Sequence, residues 1–124
     1  MKLNGQIGTF TPDNLIAGEN VPLLVKAVTI VTGQGVLNRG SVLGIISASN
    51  KGKLAAKASA DGSQVAKYIL AEDVDASSVD VVAQCYESGL FNRKALIFAA
   101  DNTAADHEDS LRQYGIFLKD NIVY

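Results

Sequence analysis

The chain has 124 residues, 48% of them hydrophobic, which suits one domain with a buried core and falls short of two domains of ordinary size. Its 11 basic and 13 acidic residues give a net charge of -2 and form no run of about five like charges, which argues against nucleic acid as a direct partner. No stretch of about 18 uninterrupted apolar residues exists, the N-terminus lacks a signal peptide's apolar core, and Cys85 stands alone, so membrane spans, intrachain disulfides and paired-cysteine metal sites are all set aside. A soluble protein made in a reducing cytoplasm is expected.

Residues 1–22 mix Gly5, Gly8, Pro12, Gly18 and Pro22 with isolated apolar residues and sustain neither a helical nor a strand period. They read as an extended N-terminal arm, reaching roughly 70 Å if fully stretched, ahead of a single β-rich domain over residues 23–124.

Residues 23–31 (LLVKAVTIV) are rich in β-branched side chains and broken only by Lys26, the pattern of a strand buried on both faces. Gly33-Gln34-Gly35 marks a turn, since no third glycine or Gly-Lys-Ser/Thr phosphate loop follows. Residues 41–46 and 54–58 predict two strands joined through Asn50-Lys51-Gly52-Lys53, with the glycine suited to positive φ.

Residues 65–70 and 79–87 predict further strands, separated by the acidic loop Glu72-Asp73-Val74-Asp75, whose default role is solvation. Ser88-Gly89 then reads as a turn, and residues 93–99 as the returning strand of an antiparallel hairpin with Leu90, Phe91 and Asn92 at its tip. Apolar residues at such a tip either fold back onto the core or form a subunit interface. Thr103 as N-cap, Asp106 three residues on and Gly115 as C′ predict one helix over residues 104–114, and Ile116, Phe117 and Leu118 a closing strand or docked tail. The fold class is therefore mainly β with one short helix near the C-terminus (α+β).

No constellation for chemistry emerges. Cys85 shares a strand face with Val79, Val81 and Ala83 and reads as a buried core thiol. His107, in the first helical turn amid acids, reads as a solvated surface histidine, and Asp101, Asp106, His107 and Asp109 match no metal-ligand spacing. Arg39-Gly40 reads as a turn rather than a presented arginine. No catalytic residue, metal or cofactor is expected.

Thr9-Phe10-Thr11-Pro12-Asp13-Asn14-Leu15-Ile16 and Leu37-Asn38-Arg39-Gly40-Ser41-Val42-Leu43-Gly44 resemble segments of the head decoration proteins of tailed phages. In the same order along the chain, so do Asp61-Gly62-Ser63-Gln64, Ile69-Leu70-Ala71-Glu72-Asp73-Val74-Asp75-Ala76, Gly89-Leu90-Phe91-Asn92 and Leu111-Arg112-Gln113-Tyr114-Gly115-Ile116-Phe117-Leu118. The resemblance to the lambda protein D-like family implies a β-tulip fold and a homotrimer. It also implies binding to the major capsid protein on the outside of the expanded head and stabilisation of the shell against internal DNA pressure. In that reading Thr9, Phe10, Thr11, Pro12, Asp13, Asn14, Leu15 and Ile16 form a capsid-binding arm, and Leu90, Phe91 and Asn92 a subunit interface. The protein would reside on the virion surface after assembly in the host cytoplasm. The competing reading is a non-catalytic β-rich binding module of a phage particle, directed at a tail, a host surface or a carbohydrate.

Overall fold

The computed structural model describes residues 15–18 and 22–119. Their nine strands and one helix run β1 (Ile16–Gly18), β2 (Leu24–Ile30), β3 (Gly35–Leu37), β4 (Val42–Ile45), β5 (Gly52–Leu54), β6 (Ala66–Leu70), β7 (Val74–Ala76), β8 (Val81–Asn92), α1 (Ala104–Gln113) and β9 (Ile116–Lys119).

The 12-residue strand β8 organises the molecule. One edge of its first part pairs antiparallel with β2, from Ile30 opposite Val81 to Leu24 opposite Ser88, while Cys85 and Tyr86 pair on the other edge with Leu70 and Ile69 of β6. From β2 the sheet continues through β5 and β4 to β6, so five strands close into a small barrel. Closure rests on a single parallel pair, Ile30 with Gly52, between β2 and β5. The last part of β8 leaves the barrel and is sandwiched between β9, parallel to it, and β1, antiparallel to it.

Neighbouring residues point to opposite faces of a strand, and three strands use this to feed two cores. Leu43, Leu70 and Cys85 turn inward to join Val28, Ile30 and Ala83 inside the barrel. Their neighbours Val42, Ile69 and Tyr86 turn outward to a second cluster with Leu15, Phe91, Leu96, Leu111 and Ile116. Helix α1 covers this outer cluster and contributes Leu111, while the small β3–β7 ribbon adds Leu37 and Ala76 to the inner one.

Several sequence expectations are corrected. Strand β2 is not buried on both faces: Leu24 and Val25 are 54% and 50% exposed, and burial is complete only at Ile30. Residues 54–58 form no strand of their own; β5 lies earlier, and Asn50 rather than Gly52 takes the positive φ. The hairpin after Glu87 does not exist. Ser88-Gly89 does not turn the chain, because Gly89 adopts a φ of 150° that lets β8 run on while it changes partners. An added Cβ there would lie 2.7 Å from Leu23 Cδ1 and 2.9 Å from Phe91 Cε2, so only glycine fits. Residues 93–95 form a 3-10 turn instead of a returning strand, and beyond it Ile97 makes one parallel bridge to Ser41.

The helix and its punctuation agree with the sequence. Asp106 Oδ2 accepts from the Thr103 N–H at 2.7 Å, and Gly115 takes a φ of 90° after the last turn. The acidic loop, expected to be merely solvated, is a set of backbone acceptors. Glu72 accepts from the Gln84 N–H at 2.8 Å and Asp73 from the Arg39 N–H at 2.6 Å, which fixes the crossing between β6 and β8.

Candidate interaction surfaces

Of the eight residues expected in a capsid-binding arm, Thr9, Phe10, Thr11, Pro12, Asp13 and Asn14 lie outside the described residues. Leu15 and Ile16 belong to the body. Leu15 is fully buried in the outer cluster and its carbonyl accepts from the Asn92 N–H at 2.7 Å; Ile16 pairs with Phe91. The body thus takes in residues 15–18, ahead of the boundary at residue 22 that composition suggested.

Leu90, Phe91 and Asn92 are the last three residues of β8, not a hairpin tip. Phe91 has no exposed surface and packs at 5.4 Å from the Tyr86 ring, so it is taken up by the chain's own core. Asn92 is also buried, and its side-chain oxygen accepts from the Lys94 N–H as the cap of the 3-10 turn. Leu90 is half-buried. Leu90 and Phe91 continue the apolar character of the strand past Gly89 in the sequence, but a Ser-Gly pair locally favours a turn.

A different apolar surface is exposed. On the β2–β8 ladder, Val25, Ala27 and Thr29 share the face that carries Val82 and Gln84 on the neighbouring strand. Val82 is 65% exposed and Val25 half exposed, with Leu23 and Leu24 alongside at the start of β2. Nothing in the described body covers this face, whereas the corresponding face of β6 lies under α1. Sequence reading missed it because an apolar run looks the same whether its second face meets the chain's own core or a partner.

Groups suited to chemistry are dispersed. Cys85 is fully buried, and burial, with the Glu72 charge adding to it, pushes its thiol up to about 12, the reverse of a nucleophile's requirement. His107, expected to be a solvated surface residue, is instead only 1% exposed; its ring stacks on Phe98 at 5.9 Å and its Nε2 lies 2.8 Å from Asn102 Oδ1. Its place four residues before buried Leu111 puts both on the inner helix face, a spacing visible in the sequence. Arg39 does occupy a turn, yet its guanidinium reaches inward to the Tyr86 hydroxyl at 2.7 Å. Among the described residues no group of three or more His, Cys, Asp or Glu is placed to hold a metal, and no helix is long and apolar enough to cross a membrane.

The arrangement is that of a β body offering surfaces. No curated protein matches the chain. The family model for bacteriophage lambda head decoration protein D matches residues 4–116, nearly the whole described body and most of the segment before it. The chain therefore belongs to the bacteriophage lambda head decoration protein D family, and its role is the structural one of decorating a phage capsid.

Proposed function

We propose that the protein assembles as a homotrimer on the outside of the expanded head, contacts the major capsid protein through residues 1–14, and stabilises the shell against the pressure of packaged DNA. The family match over residues 4–116 carries this reading, because it includes most of the segment that precedes the β body. The exposed face of Val25, Ala27 and Val82 supports self-association, since uncovered apolar area on one side of a sheet gains stability when a second copy covers it. A ligand that binds the expanded shell better than its precursor stabilises the expanded state by that difference in affinity. Several arms on one assembly would strengthen the hold multivalently.

Light scattering on the whole chain and on a variant lacking residues 2–14, followed by sedimentation with expanded heads free of decoration protein, tests the reading. A trimer in both forms, with only the whole chain sedimenting with heads, is the expected result. Equal sedimentation of both removes the arm from the proposal; a monomer that ignores heads and binds glycans or host surfaces favours the alternative binding module.

A further inference from the structure

The hydrogen bonds around His107 determine its tautomer. Asn102 Oδ1 accepts from the Lys57 backbone N–H at 2.8 Å, and Asn102 Nδ2 donates to the Ala100 carbonyl at 2.8 Å, so the orientation of the amide is fixed. The atom 2.8 Å from His107 Nε2 is therefore an acceptor, and Nε2 carries the proton and donates. That leaves Nδ1 as a bare lone pair, fully buried and without a partner among the described residues. A proton arriving at Nδ1 would create a charged imidazolium whose second N–H meets no acceptor, on a ring sealed against Phe98.

We propose that His107 is an acid-sensitive latch that holds helix α1 against the β5–β6 loop, closed while the ring is neutral and opened by protonation at Nδ1. Asn102 is the shared element of this latch, joining the α1 ring to the Lys57 backbone. Of the charges facing the ring, Asp106 on the same helix favours the imidazolium and Lys57 on the loop opposes it. Elsewhere on and around α1, Glu108 pairs with Arg93 and Arg112, Asp109 pairs with Arg112, and Lys67 of β6 lies over the Tyr114 ring. Burial outweighs Asp106 and holds the imidazole below its ordinary 6.5.

The sign follows from linkage. The unfolded chain takes up a proton near 6.5 and the folded chain only at lower pH, so stability is complete above 6.5 and declines as pH falls toward the folded value. The latch depends on the chain alone and stands whether or not the trimer and arm proposals hold.

His107 is the chain's sole histidine, so one imidazole resonance reports on it without ambiguity. An NMR titration of the whole chain is expected to show Nε2 protonated and Nδ1 bare at neutral pH. The titration midpoint should lie below 6.5, with amide protection of α1 and of Lys57 lost together through that midpoint. In parallel, thermal unfolding between about pH 7 and about pH 5 should fall a few degrees further for the native chain than for His107→Gln, which keeps a donor and cannot titrate. A proton on Nδ1 at neutral pH, a midpoint at or above 6.5, or equal pH dependence in the two proteins overturns the latch. Should His107→Gln not fold, the titration and exchange of the native chain decide alone.

Discussion

The Arg39 guanidinium donates to the Tyr86 hydroxyl at 2.7 Å and lies 5.4 Å from the centre of the same ring, which fastens the β3–β4 loop onto the middle of β8. The same Nη1 also donates to the Ala71 carbonyl at 2.9 Å. Three parts of the chain far apart in sequence meet at this one side chain. Tyr86→Phe keeps the ring and removes the hydroxyl, and the loss of one charge-assisted hydrogen bond in a half-buried setting should lower stability by about 1.5 kcal/mol in urea unfolding.

Gly44 lies where β4 passes over the Ser63 backbone, and a Cβ added there would come within 2.1 Å of the Ser63 carbonyl oxygen. The three nearest atoms all belong to the Ser63 backbone, which leaves nothing flexible to yield. Gly44→Ala is expected to cost about 3 kcal/mol, more than an alanine ordinarily costs in a strand, and to lower the thermal midpoint accordingly.

Phe91 is fully buried and packs on Tyr86 within the outer cluster. Phe91→Ala should lower the stability of the dissociated chain by about 4 kcal/mol, through the cavity left under α1. An effect on association with no change in the unfolding of the single chain would show that the ring serves an interface instead.

Cys85, fully buried with its thiol pushed up to about 12, should resist thiol reagents in the folded protein at mildly alkaline pH. Its labelling rate should rise steeply in denaturant, since exposure requires opening of the barrel. Rapid labelling under native conditions would contradict the closed barrel.

Four exposed carboxylates, Asp61, Asp75, Asp80 and Asp106, give the protein a second, lower acid response, Asp75 through its hydrogen bonds from Ser77. The Lys51 ammonium and the Thr32 N–H hold Asp80 below its ordinary 3.8, Ser63 does so for Asp61, and the Thr103 N–H for Asp106. Each favours the folded state when ionised, so its contribution is present above 3.8 and is lost as pH falls below that. Asp80→Asn should reduce the difference in stability between about pH 6 and about pH 3, measured by urea unfolding.

The fold class, the helix with its Thr103, Asp106 and Gly115 punctuation, the buried Cys85 and the family were legible in the sequence, because these depend on local pattern or on residues in order along the chain. Tertiary structure alone decided where β8 ends, since Ser88-Gly89 favours a turn locally and is overruled when β1 and β9 pair on both sides of Gly89 to Asn92. It also decided which apolar residues are covered. Leu15, expected in a capsid-binding arm, and Phe91, for which core and subunit interface both stood open, are sealed in the core, while Val25, expected in a strand buried on both faces, is half exposed. His107 followed the same rule, drawn inward by its place four residues before Leu111 despite acidic neighbours in sequence. The physical reason is common to all of these: burial depends on what lies across a face, and that partner comes from a distant part of the chain, which periodicity within one segment does not specify.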